Sequence, residues 1–182
     1  MIESALYIGR FQPFHLGHLS VVKKAIEENE RLIIAIGSAE KNFLPQNPLT
    51  ASERFVLIEE VLKDEGIAAE KFCIIPVRNI NNYALWVNHI NLLVPPYTKL
   101  YTGSKIVEIC YRHNPLTFDK IIKIERENNI SATDIREKMA TDKEWEDYVP
   151  KKAAELLKRW EIPQRLKNTY GQQDITMFNS SY

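Results

Sequence analysis

Gly9-Arg10-Phe11-Gln12-Pro13-Phe14-His15-Leu16-Gly17-His18 joins an apolar run, Ala5 to Phe11, to the segment LGHLSVVKKAIEENE that starts at Leu16. The run is short and rich in strand formers. In the following segment Leu16, Leu19, Val22 and Ile26 recur at helical spacing while Lys23, Lys24, Glu27 and Glu28 fall between them, so the reading is strand, tight turn, helix. Two histidines, two glycines and an arginine make this connection chemically dense. Gly9 permits close backbone approach, Pro13 stiffens the turn, and Gly17 leaves the opening of the helix without a side chain in front of it. The first amides and positive dipole end of that helix then face whatever lies above the sheet. His15 and His18 are three residues apart, hence on one side of the helix, and both can donate to phosphate oxygens.

The alternation continues outward from this turn. RLIIAIG (Arg31 to Gly37) is apolar on both faces, as a buried parallel strand is, and SAEKNFLPQNP after it is a loop. Thr50, with Glu53 three places on, forms a capping box for the helix ASERFVLIEEVLKDEG, which Gly66 ends. KFCIIPV is a third strand, RNINN a polar loop, YALWVNHINLLV a helix closed by Pro95 and Pro96, KLYTG a fourth strand and FDKIIKI a fifth. Ser131 or Thr133 caps a short helix through Met139, and Pro150 opens a last helix, KKAAELLKRW. Strands alternating with helices predict an α/β fold, a Rossmann-like doubly wound parallel sheet of about five strands with helices on both faces. Ligands of such sheets gather at the carboxyl ends of the strands, where strand order reverses. A single domain is expected over residues 1–167, followed by a polar tail over 168–182.

Composition narrows the function classes. The chain has 182 residues, 45% hydrophobic and 26% charged, which excludes disordered, collagen-like and coiled-coil architectures. Lys plus Arg and Asp plus Glu are both 24, so no broad electrostatic footprint for nucleic acid is expected, and an anionic ligand must be met by local groups. No stretch is long and apolar enough for a membrane span, and the N-terminus carries no secretory pattern, so a cytoplasmic protein without membrane partners is expected. Cys73 and Cys110 sit in apolar runs without metal-like spacing and read as packed, reduced thiols.

A lone histidine usually caps or packs. Here the pair flanks a glycine at a strand-to-helix turn, which favours a phosphate site. A protein-held metal is not expected, since helical zinc sites use His at i and i+4 with an intervening Glu and no third ligand is evident. The phosphate loops GxxxxGK[ST] and GxGxxG are absent, leaving His-x-Gly-His as the phosphate device. In ISATDIR, Ser131 and Thr133 head a helix whose first turn also carries Arg136, so hydroxyls, amides and a guanidinium converge in a way that suits phosphates.

GRFQPFHLGH, with NPLTASER (Asn47 to Arg54) and ISATDIREKM (Ile130 to Met139), resembles the nucleotidyltransferases of the HxGH superfamily and, within it, the archaeal-type nicotinamide-nucleotide adenylyltransferases. SAEK, IIPV, ALWV, PP and YTG follow the same order, so the resemblance covers most of the chain. It implies transfer of AMP from ATP to nicotinamide mononucleotide, giving NAD and pyrophosphate, with Mg²⁺ as companion of ATP and a homo-oligomeric assembly. Such a reaction needs no protein nucleophile, because the acceptor phosphate is already anionic and must only be held in line. His15, His18, Arg10 and Arg136 are then the catalytic candidates, with Gly9, Phe11, Gly17, Ser131 and Thr133 joining them around ATP. The resemblance assigns Trp86 to stacking on the pyridine ring, places Arg54 near the nucleotides, and leaves Asn81, Asn82 and Tyr83 for polar contacts to the acceptor. Four positions depart from the usual pattern: Gln46 where a basic residue often stands, Asn79 in place of an acid, and Ser104-Lys105 in place of Asn-Pro. The alternatives are nucleotidyl transfer to another phosphate, such as phosphopantetheine or riboflavin phosphate, and a non-catalytic nucleotide sensor.

Overall fold

The computed structural model describes residues 3–114, 120–124 and 131–170. Five strands, β1 (Ser4–Gly9), β2 (Arg31–Ile36), β3 (Phe72–Pro76), β4 (Lys99–Thr102) and β5 (Lys120–Lys123), pair in parallel in the order β3-β2-β1-β4-β5. Seven α-helices lie among the described residues: α1 (Leu16–Glu28), α2 (Ala51–Asp64), α3 (Tyr83–Leu93), α4 (Lys105–Arg112), α5 (Ala132–Ala140), α6 (Lys151–Arg159) and α7 (Ile162–Tyr170).

Strand β2 shows why the sheet is covered on both sides. Alternate residues of a strand point to opposite faces. Leu32, Ile34 and Ile36 enter one apolar cluster with α1, α2, α5, α6 and α7, whereas Ile33 and Ala35 enter a second with α3 and α4. Each fully buried aliphatic side chain contributes about 1.5–3 kcal/mol, so a strand apolar on both faces is stable only in the middle of such a sandwich. The chain builds β1, β2 and β3 in one direction and then returns to place β4 on the other flank of β1. Strand order therefore reverses between β1 and β4, and a crevice opens above their carboxyl ends.

Helix α2 begins as its sequence dictates. The Glu53 amide donates to Thr50 Oγ1 at 3.1 Å, and the Thr50 amide donates to the Glu53 carboxylate at 2.8 Å. It ends at Gly66, whose φ of +72° fits the left-handed position after a helix, with the Ile67 amide reaching back to the Leu62 carbonyl at 2.9 Å. Helix α5 is capped by Ser131 rather than Thr133.

Two helices go beyond the sequence reading. Helix α4 fills the crossover from β4 to β5; its Ile106, Val107 and Ile109 are poor helix formers, so tertiary context decides there. Helix α7 packs against α5 and α6 and runs through Tyr170, across the boundary expected at residue 167, while residues 171–182 of the expected tail lie outside the described residues. The expected fifth strand began at Phe118, which also lies outside them. No helix among the described residues is long and apolar enough to cross a membrane. Cys110 is buried, Cys73 is half-buried, and both are free thiols whose pKa is raised by burial.

Candidate active site

The crevice above β1 and β4 is a cleft of about 810 Å³, toward the upper end of the ~300–1,000 Å³ typical of small-molecule sites. Its wall includes residues that follow each of the first four strands, Arg10, Gly37 and Ser38, Val77 to Asn79, and Gly103 to Lys105, together with Ser131 to Thr133 and Arg136 of α5 and its cap. Arg10, Arg78, Lys105 and Arg136 line it, and among the described residues no carboxylate does.

The turn after β1 is shaped by its aromatic residues. Phe11 adopts a left-handed φ of 51°, which folds its ring back over Gly9. A Cβ at Gly9 would lie 2.7 Å from that ring, so only glycine fits. Gln12 precedes a cis peptide to Pro13, and its side-chain amide pairs with the backbone of Leu49, accepting from the amide at 2.9 Å and donating to the carbonyl at 2.8 Å. The first turn is thereby tied to the NPLTASER segment.

His15 caps α1, its carbonyl accepting from the amides of His18 and Leu19. Its own amide donates to His18 Nδ1 at 3.2 Å. That bond makes Nδ1 an acceptor and leaves Nε2 as the protonated nitrogen of His18. The His18 ring stacks on His15 with centroids 3.6 Å apart and contacts Phe11 and Phe14 at 5.0 and 5.6 Å. Burial, and secondly the neighbouring His15, push the His18 pKa well below its ordinary value. His18 is thus a neutral N–H donor on the cleft wall. Gly17 serves this arrangement, since a Cβ there would stand 3.1 Å from the His15 ring.

The arginines divide into two kinds. Arg10 is exposed on the cleft wall, as expected of a phosphate-binding group. Arg136 also lines the cleft, but it is 3% exposed and donates to the carbonyls of Gln12 (2.8 Å) and Pro45 (3.1 Å) and to Thr133 Oγ1 (3.3 Å). It fastens α5 to the first turn while presenting charge to the cleft.

Arg54 corrects the sequence reading. It was expected beside the acceptor nucleotide, yet it is fully buried and absent from the cleft wall. Its guanidinium donates to the carbonyls of Thr50, Arg10, Gly37 and Ser38 at 2.8–3.2 Å. Burial lowers its pKa to about 10, so it stays cationic and holds together the loops after β1 and β2. Arg165 of α7 braces the same motif, with paired 2.8 Å bonds to Glu53 and a third to the Pro48 carbonyl.

Ser131 and Thr133 stand on the cleft wall. The Ser131 hydroxyl is engaged with Asp134 as the helix cap, and Thr133 is exposed. Trp86 and Tyr83 of α3 also line the cleft, the indole set edge-on against Tyr111 with centroids 6.1 Å apart. Asn81 and Asn82 do not line the cleft, contrary to the expected acceptor contacts. Asn82 caps α3 through Oδ1, and Asn81, at a φ of 35°, accepts from Asn79 Nδ2. Arg78, Asn79, Ser104 and Lys105 were missing from the expected site. Their signal was positional: each follows the carboxyl end of a parallel strand, as Arg10 does.

An uncharged imidazole donor, helix amides and uncommitted cations around a cleft that no carboxylate lines among the described residues can stabilise negative charge moving between phosphate groups. Comparison with known proteins agrees. Residues 6–138 match the family described as cytidylyltransferase-like. The nicotinamide-nucleotide adenylyltransferase of Ignicoccus hospitalis is 40% identical over 164 residues, covering 90% of this chain and 95% of that relative. The enzyme of the same description from Archaeoglobus fulgidus is 38% identical over 173 residues, covering 92% and 97%. The fold is similar to that of a bifunctional NMN adenylyltransferase/ADP ribose pyrophosphatase from Francisella tularensis, solved with AMP and a Mn ion, with a TM-score of 0.75 at 24% identity. That alignment covers 93% of this chain and 54% of the longer protein, so the chain spans about half of it. On motif, sheet order and sequence identity together, the chain belongs to the cytidylyltransferase-like family and, within it, to the nicotinamide-nucleotide adenylyltransferases.

Proposed function

We infer that the protein transfers AMP from ATP to nicotinamide mononucleotide, giving NAD and pyrophosphate. The observation that carries this reading is a neutral His18 N–H donor and the start of α1 on the wall of a cleft that Trp86 also lines and that no carboxylate lines among the described residues. A phosphate oxygen of the mononucleotide attacks the α-phosphorus of ATP, the new phosphorus–oxygen bond forms, and the bond to the β-phosphate oxygen breaks. Negative charge grows on the departing pyrophosphate, where His18, Arg10 and the amides of α1 stabilise it, with Ser131, Thr133 and Arg136 on the α5 side. His15 holds His18 in its donor tautomer. Trp86 offers an indole face to the cationic pyridine ring, worth about 1–2 kcal/mol.

Mg²⁺ belongs to the reaction as part of the Mg–ATP substrate. Among the described residues the cleft wall offers cations and N–H groups rather than carboxylates, so the triphosphate and water would supply the ion's oxygen ligands. We propose in addition that the chain self-associates through α3, where Leu85 and Leu92 stand 55% and 85% exposed. Sedimentation of a single-chain mass at micromolar concentration contradicts that assignment.

The test of the activity is incubation with Mg–ATP and, separately, nicotinamide mononucleotide, nicotinic acid mononucleotide, phosphopantetheine and riboflavin phosphate, following pyrophosphate. Release with nicotinamide mononucleotide is expected. Release only with another acceptor reassigns the substrate, and release with none makes the protein a nucleotide sensor.

A further inference from the structure

With Arg54 buried away from the cleft wall, no residue is yet assigned to the phosphate of the acceptor nucleotide. Three cations on that wall make no ion pair among the described residues: Arg10, Arg78 and Lys105. They are spread along the carboxyl edge of the sheet by its strand order. Lys105 follows β4, Arg10 follows β1, and Arg78 follows β3, two strands and so about 10 Å further on. Arg10 and Lys105 flank the switch point, and Arg10 belongs to the same turn as His15 and His18. Arg78 lies on the other side, where β3 leads into α3 and Trp86.

The peptide unit that follows Arg78 is fixed at its carbonyl and at its amide. Its carbonyl is hydrogen-bonded by His89 of α3 at 2.9 Å, one helical turn beyond Trp86, and the next amide, of Asn79, donates to the Glu40 carboxylate at 3.0 Å. Val77 before it is buried and continues the sheet, its amide bonded to the Ile36 carbonyl at 2.8 Å. The guanidinium itself is exposed and bonded to nothing among the described residues. A rigid base, an uncommitted fork of N–H donors and an aromatic platform on the adjoining helix are the parts needed to seize a phosphate monoester whose base is stacked nearby.

We propose that Arg78 is the residue that receives the phosphate of the acceptor mononucleotide. This rests on the adenylyl-transfer reading and deepens it: Arg78 holds the attacking phosphate, while the His18 turn holds the phosphates that leave. A bidentate contact to guanidinium also leaves one phosphate oxygen outside the fork, available for attack.

The test is initial-rate kinetics of the wild type, Arg78→Ala and Arg78→Lys, with each substrate varied, alongside inhibition by nicotinamide riboside, which keeps the base and sugar but lacks the phosphate. Loss of a charge-assisted contact corresponds to about a 10- to 100-fold rise in KM for the mononucleotide, with KM for ATP unchanged and partial recovery in Arg78→Lys. The riboside is expected to inhibit wild type and Arg78→Ala equally. An unchanged KM for the mononucleotide, an equal rise for both substrates, or weakened riboside inhibition in Arg78→Ala overturns the proposal. A wild type that forms no NAD overturns the adenylyl-transfer reading instead.

Discussion

His18 combines a role and a constraint in one ring. Its Nδ1 accepts from the His15 amide, and Phe11, Phe14 and His15 crowd its faces, so the proton sits on Nε2 and a second proton is disfavoured. Removing one donor to transition-state charge costs about 2.7–4 kcal/mol, so His18→Ala should lower kcat by on the order of 10² or more, with the circular dichroism spectrum unchanged. The depressed pKa has a consequence for stability. Below the unfolded value of 6.5 the unfolded chain takes up a proton that the folded ring refuses, so this group's contribution falls as pH drops through 6.5 toward the lower folded value. Nitrogen-15 NMR of the imidazole should therefore report a neutral Nε2–H tautomer at pH 6; a protonated ring at that pH contradicts the geometry. The two histidines were legible in the sequence because of their spacing around Gly17. Their differing tasks were not, because they depend on which ring nitrogen meets a backbone amide.

At the scale of elements, the loop containing NPLTASER is stapled from several sides. Gln12 grips Leu49, Arg136 reaches Pro45, Arg54 binds Thr50 and three further carbonyls, and Arg165 binds Pro48 and Glu53. Arg54→Ala strands part-buried carbonyls of the loops after β1 and β2, each costing up to about 1–3 kcal/mol when left unpaired. A loss of about 3 kcal/mol or more in urea denaturation is expected, and retention of wild-type stability would show that these bonds carry little. The capping box of α2 and the cap of α5 were readable because Thr50, Glu53 and Ser131 act within one turn of chain. Arg54 misled for the opposite reason: three of its four partners lie 16 to 44 residues away, and a helix pattern does not tell a buried clamp from a surface charge. Helices α4 and α7 escaped detection because β-branched residues in the first, and the short turn that separates α6 from the second, mask their periodicity.

Across the whole molecule, the parallel sheet and its reversal at β1 and β4 follow from runs such as RLIIAIG, apolar on both faces, and from helices between them. Charge is organised at this scale as well. A chain with 24 acidic and 24 basic residues keeps every carboxylate among the described residues off the cleft wall and places four cations on it. Total charge hides that separation, so composition does not reveal the local cluster of cations on the cleft wall. The two ends of the cleft should be separable in kinetics. Trp86→Ala should raise KM for the mononucleotide far more than for ATP, and an equal rise for both refutes a stacking role at the acceptor end. A crystal structure with Mg²⁺ and a non-hydrolysable ATP analogue should show β- or γ-phosphate oxygens within about 3 Å of His18 Nε2 and of the first amides of α1; a triphosphate bound elsewhere, with His18 untouched, would contradict it.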